Sequence, residues 1–188
     1  MPTVIDTRPA GLGDIDAILA DVAAGFATYV DFAQPGWHAP DPSAGREGTA
    51  DLLAADGTWA LLALADGAPV GHVAFIPGRR RRAGEPGGDW REREMVPGLA
   101  HLWQLFVLPE WWGAGVAPLL YDAAIAEMRA QGYSSARLFT PSLHARARRF
   151  YERRGWEVVD EQPNEWLDLL MAEYRLELGQ PPSSQPSR

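Results

Sequence analysis

Gly113 and Gly115 stand between the stretch Leu102 to Pro109, LWQLFVLP, and a segment whose apolar residues recur at helical spacing. Leu120, Ala124 and Met128 lie four apart, with Tyr121 and Ile125 beside them, and Gly132 ends the run. Strand, glycine-rich turn and helix N-terminus in that order make an anion site. The first amide N–H groups of a helix have no intrahelical acceptor, and the helix dipole favours negative charge there. Glycine allows backbone conformations, and a close ligand approach, that a side chain would block. The expected chemistry is the holding of a phosphate-bearing ligand.

Three common phosphate sites do not fit. A P-loop needs a lysine and a Ser or Thr after its last glycine, but Val116 and Ala117 follow here and the chain has no lysine. A dinucleotide fingerprint needs a third glycine where Pro118 stands, and an acidic residue about 20 positions on, which is missing. The catalytic set that accompanies a kinase glycine loop is also missing.

The stretch resembles the acetyl-CoA loop of the GNAT N-acetyltransferase superfamily, whose pattern is Arg/Gln-x-x-Gly-x-Gly/Ala after a strand ending in Val-x-Pro. Val107-Leu108-Pro109, Gly113, Gly115 and Ala117 carry the likeness. Ala147, Phe150, Tyr151, Gly155 and Trp156 match the superfamily's second signature, Asn-x-x-Ala-x-x-Phe-Tyr-x-x-x-Gly-Phe. The resemblance is strong from about residue 101 to 160 and loose elsewhere. Two positions depart from it: Trp112 stands where the superfamily has Arg or Gln, and His144 where it has Asn.

The resemblance implies an α/β fold with a mixed, mostly antiparallel sheet flanked by helices and splayed to admit acetyl-CoA. It implies transfer of an acetyl group to a primary amine of a small molecule or peptide. Leu105, Phe106, Val107, Trp112, Gly113, Ala114, Gly115, Val116, Ala117 and His144 would contact acetyl-CoA, its pyrophosphate lying on the amides of residues 112–117. A backbone amide near Val107, where the strand bulges and parts from its neighbour, would hold the thioester carbonyl. Phe26, Tyr29 and Gln104 fall on the acceptor side. Tyr151 matches the general acid for the leaving thiolate, and a phenol with an unperturbed pKa near 10 stays protonated at neutral pH. For the base, relatives often have a carboxylate at the start of the strand before the glycine loop. His101 stands there, and histidine's pKa near 6.5 suits proton removal from an ammonium. His72 and Glu94 are the other candidates, and water alone is a further route. A non-catalytic acyl-CoA-binding module of the same fold is the alternative reading.

Composition narrows the mechanism. The chain has 188 residues, no cysteine and a formal charge of −8. Without cysteine there is no disulfide and no acetyl-cysteine intermediate, so transfer would be direct, in a ternary complex. No His/Asp/Glu cluster has metal-ligand spacing, so no metal is expected. The negative charge argues against a nucleic acid or an anionic membrane as partner. Before residue 60 the cations are Arg8 and Arg46 alone; the acidic excess there either draws an amine or is a solvated surface. No leader opens the chain and the longest apolar run, Trp59 to Ala65, is too short to span a bilayer, which reads as soluble and cytoplasmic. Dimers are common among GNAT proteins, which leaves room for a homodimer.

The elements that must position these residues are legible in part. One N-acetyltransferase domain is expected over 1–178, with a disordered Pro/Ser/Gln-rich tail from 179 to 188. Thr3 to Thr7 alternates as a strand, and Asp14 to Ala24 repeats Ile15, Ile18, Leu19 and Val22 as a helix. From Phe26 to Ala50 periodicity fades; the aromatic residues there either cap an acceptor pocket or anchor a surface loop. Trp59 to Leu64 and Val70 to Ile76 form a hairpin around Asp66-Gly67. Pro77 to Gly98 reads as a loop whose run Arg79 to Arg82 is either a grip for the 3′-phosphate of CoA or a hydrated surface. Ala136 to Phe139 is a strand, Ser142 the expected N-cap of a helix ending at Gly155, and Trp156 to Val159 and Leu169 to Leu178 the last strand pair. Trp103 is expected to face the core, with at least one of Trp111 and Trp112 packed under the loop.

Overall fold

The computed structural model describes residues 4–80 and 93–179. Among them, β1 (Ile5–Pro9), β2 (Trp59–Ala65), β3 (Ala68–Arg79), β4 (Met95–Val107), β5 (Ser135–Pro141), β6 (Glu157–Asn164) and β7 (Leu169–Glu177) form a single sheet. Its order is β1-β2-β3-β4-β5-β7-β6. All neighbours are antiparallel except β4 and β5. Four α-helices accompany it: α1 (Ile15–Ala27), α2 (Arg46–Ala54), α3 (Val116–Ala130) and α4 (Ala145–Glu152). The expected mixed, mostly antiparallel α/β architecture is present. No helix among the described residues is long and apolar enough to cross a membrane.

Both faces of the central strands are covered, which is why β2 reads WALLALA rather than alternating with polar residues. Successive side chains on β3 point to opposite faces. Val73 and Phe75 join the core that contains Leu120, Ala124 and Met128 of α3, whereas His72 meets Asp21 of α1. A second, smaller core gathers Val22, Phe26, Tyr29 and Trp37 with Leu167, Leu169 and Met171. Trp37 Nε1–H donates to the carbonyl of Leu167 at 2.7 Å, tying the segment after α1 to the β6–β7 turn.

β4 and β5 part along most of their length. Their parallel ladder covers only Leu99–His101 against Ser135–Arg137, after which β4 runs on to Val107 and β5 to Pro141 unpaired with each other. The bulge in β4 falls earlier than expected. Gln104 pairs with Ala74 and Leu102 with Phe75, so the extra residue is Trp103, not a residue near Val107.

Other boundaries differ from the sequence reading for local reasons. α2 was not legible because it is short and only Thr49 on it is fully buried, leaving no apolar stripe. Pro77 to Gly98 is less of a loop than expected: Arg79 pairs with Met95, and the Arg80 amide donates to the Glu94 carbonyl at 2.7 Å. β6 continues to Asn164 as an exposed edge strand, where polar residues and Pro163 are tolerated. Ser142 does not cap α4. His144 holds the N-cap position, without a side-chain cap, while the Ser142 amide donates to the Leu170 carbonyl at the end of the sheet. Arg81, Arg82 and the tail beyond Gly179 lie outside the described residues.

Candidate functional site

A cavity of about 650 Å³ lies where β4 and β5 part, and it runs from the N-terminus of α3 to the C-terminal end of α1. Leu105, Phe106, Val107, Gly113, Gly115, Ala117, His144 and Tyr151 all line it, as do Phe26, Tyr29, His101, Gln104 and Trp112. Two candidates do not. The Val116 side chain is buried in the main core, and Ala114 lies outside the lining.

At the α3 end the walls are main chain. Gly113 and Gly115 both have φ of 86°, the left-handed region that favours glycine, and Gly115 is the N-cap of α3 with no side-chain cap. The amides of Val116 and Ala117 open the helix without intrahelical acceptors, and Pro118 has no N–H to add. Two amides of the expected cradle have local partners instead: Trp112 N–H donates to Pro109 O at 3.1 Å and Ala114 N–H to Trp111 O at 3.2 Å. The available donors are therefore fewer than the run 112–117 implies.

A cation that sequence reading missed stands here. The Arg146 guanidinium lies 4.4 Å from the centroid of the Trp112 ring, within the range of a cation–π contact. The indole is fixed in turn, its Nε1–H donating to Val107 O at 2.9 Å. Arg154 also lines the cavity, 3.7 Å from the Phe150 ring centroid, and donates through Nη1 to Phe150 O at 3.0 Å. Arg146, Phe150 and Arg154 are spaced by four, a pattern available in the sequence. By contrast, Arg79 and Arg80 do not line the cavity; Arg79 donates to Arg93 O and Arg80 pairs with Glu94 at 2.9 Å.

At the centre, Tyr151 is buried among Phe150, Trp156 and Tyr174. Burial first, then the nearby phenols of Tyr29 and Tyr121, push its pKa above the ordinary value, so the hydroxyl is a proton donor at any physiological pH. His144 stacks on Phe32 at 4.9 Å and meets Tyr29 edge-on. Burial, helped by the charge of Arg146, holds its pKa at about 4, and the imidazole is neutral at pH 7. His101 has Nδ1 3.2 Å from Arg137 O; as donor to that carbonyl it places the ring lone pair on Nε2. Of the other base candidates, Glu94 is exposed, paired with Arg80 and outside the cavity. His72 is 1% exposed and does not line the cavity, which it meets through Gln104 and Phe106. Its Nδ1 is 2.9 Å from Asp21 Oδ2 and its Nε2 3.0 Å from Gln104 Oε1.

At the α1 end the walls are side chains. Phe26 meets Tyr29, Phe106 and Trp166 with ring centroids 5.3, 5.8 and 5.7 Å away. Trp103 at the bulge is half-buried and lines the cavity instead of entering the core, while Trp111 packs against the main core as expected. Gln162, Asn164, Trp166 and Met171, from β6, β7 and their turn, complete this end. None of these four was singled out from sequence: Gln162, Asn164 and Trp166 lie in a polar stretch without periodicity, and Met171 was read only as part of a strand.

The matching family model is that of the acetyltransferase (GNAT) family, over residues 22–156. Comparison with curated proteins finds no match. Among solved structures, a GNAT acetyltransferase of Staphylococcus aureus Mu50 is similar with TM-score 0.68 at 15% identity, over 93% of this chain and 99% of that one. The PaiA N-acetyltransferase of Thermoplasma acidophilum, in complex with coenzyme A, gives TM-score 0.63 at 15% identity, over 90% and 98%. A further N-acetyltransferase of Staphylococcus aureus Mu50 gives 0.62 at 19% identity, over 94% and 99%. At these identities the likeness is one of fold, and it agrees with the parted strands and the glycine-capped helix. On the family model and the fold together, this chain belongs to the GNAT acetyltransferase family.

Proposed function

We propose that the protein transfers the acetyl group of acetyl-CoA directly to a primary amine. The observation that carries this reading is the position of the Tyr151 hydroxyl group's residue in one cavity with the uncapped start of α3, between strands that have parted. The pyrophosphate rests on the Gly115–Ala117 turn with Arg146 beside it, and the pantetheine arm runs between β4 and β5. The amine nitrogen attacks the thioester carbonyl, the C–N bond forms, and the C–S bond breaks as the thiolate takes a proton from Tyr151. The ammonium formed on attack loses its proton through His101 or water. The chain has no cysteine to hold the acetyl group in between.

Two measurements test this together: calorimetric titration with acetyl-CoA, and release of CoA thiol in the presence of amines. Tyr151→Phe is expected to lower kcat by about 10²- to 10⁴-fold with little change in acetyl-CoA affinity. Binding of acetyl-CoA without release for any amine would identify a non-catalytic acyl-CoA-binding module. A stable acetyl-enzyme isolated without acceptor would refute direct transfer.

A further inference from the structure

The end of the cavity away from α3 differs chemically from what the acidic N-terminal third of the chain leads one to expect. Among the described residues, no Asp or Glu lines the cavity. The nearest buried carboxylate of α1, Asp21, is 2% exposed and is engaged by His72. The wall is made of Phe26, Tyr29, Phe106 and Trp166, with Gln104 among its polar groups.

Trp166 is the informative member. It is 53% exposed, yet it lines the cavity and meets Phe26 at 64°. A large aromatic with its surface in solvent beside a buried aromatic cluster leaves apolar area for a ligand to cover. Gln104 supplies a polar contact of fixed position, because the buried Asp21–His72 pair holds its side chain from behind. Asp21 and His72 are thus positioning residues, acting through Gln104 without lining the cavity.

We infer that the acceptor is an aromatic monoamine whose ring packs against Phe26, Phe106 and Trp166 and whose nitrogen passes Gln104 on its way to the thioester. The inference rests on the acetyl-transfer reading above and names its substrate class. A polyamine would bring a second ammonium to a wall with no carboxylate to pair it, at a desolvation cost. An amino acid would need a cation for its carboxylate, and Arg146 and Arg154 belong to the α3 end. An amine entering apolar surroundings also sheds its proton more readily, and the neutral form is the nucleophile.

The test measures acetyl-CoA binding by calorimetry and CoA thiol release with 2-phenylethylamine, tyramine, tryptamine, spermidine, glycine and an alanine-terminated peptide. At least one of the three arylalkylamines is expected to exceed spermidine, glycine and the peptide in kcat/KM by about 10- to 100-fold, the value of burying one aromatic ring. Trp166→Ala, at an exposed position, should raise KM for that amine about 10-fold and leave acetyl-CoA affinity unchanged. Asp21→Asn should raise KM more than it lowers kcat, whereas a merely structural role would lower the folded fraction and leave KM as it was. Equal or better turnover of spermidine, glycine or the peptide would overturn the inference, and so would failure of all three arylalkylamines with acetyl-CoA bound. Failure to bind acetyl-CoA at all would instead remove the acetyl-transfer reading on which the inference stands.

Discussion

The α3 end of the cavity is built from backbone amides and two arginines of one short helical region, whereas the α1 end is built from side chains of segments far apart in the chain. At the first, Gly113, Gly115 and the start of α3 follow one another in the chain, and their geometry is set by local conformation. At the second, Phe26 from α1, Gln104 and Phe106 from β4, and Trp166 from the β6–β7 turn meet only because the sheet brings them together. A backbone site tolerates wide change in side chains and holds one kind of ligand. A side-chain site can be re-cut residue by residue, so it is where members of one fold can diverge in substrate.

The largest expected separation of the two ends comes from Gly25→Ala. A Cβ at residue 25 would collide with Cδ1 and Cε1 of Phe106, so the ring, which lines the α1 end of the cavity, must shift. Overpacking of this kind costs about 1–3 kcal/mol, and acceptor KM should rise about 10-fold while calorimetry finds acetyl-CoA affinity unaltered. If both ligands weaken alike, the ends are not independent.

Arg146→Ala acts on the other end. Loss of the guanidinium over Trp112 should weaken acetyl-CoA about fivefold and reduce the salt dependence of binding, leaving S-acetyl-pantetheine, which lacks the pyrophosphate, unaffected. An equal loss for both compounds would point to a collapse of the Trp112 contact instead.

Gly115→Ala sharpens the claim that this end is set by backbone conformation. Nothing lies within 4 Å of an added Cβ, so the cost is the left-handed φ of 86° alone. That is worth about 1–2 kcal/mol, a fall in Tm of roughly 2–8 °C by thermal unfolding.

A pH dependence of stability belongs to the middle of the cavity. His144 titrates at about 4 in the folded chain and near 6.5 when unfolded, so between these values the unfolded chain binds more protons. Its contribution to stability is complete above pH 6.5 and is lost as pH falls towards 4. Denaturant midpoints for His144→Asn should fall less over that window than those of the parent. Parallel curves would mean that other groups dominate.

How much of this was legible follows the same division. The strand-turn-helix around Gly113 and Gly115 and the hairpin at Asp66-Gly67 were readable because each is encoded by residues close in sequence, through periodicity and positive-φ glycines, whereas Tyr151 was singled out by the family resemblance of the motif around it. α2 and the far half of β6 were not, since neither carries an apolar stripe or alternation that exceeds its polar residues. The bulge at Trp103 was misplaced because a register shift is a property of two strands. Tertiary structure alone decided that Asp21 and His72, 51 positions apart, form a buried pair behind Gln104. It alone decided that Trp166 lines the cavity beside Phe26, and that the acidic N-terminal third lends no carboxylate to the described lining. The physical reason is common to all three: local backbone preference is written in neighbouring residues, whereas long-range side-chain contact depends on how the sheet stacks its strands, which no single segment specifies.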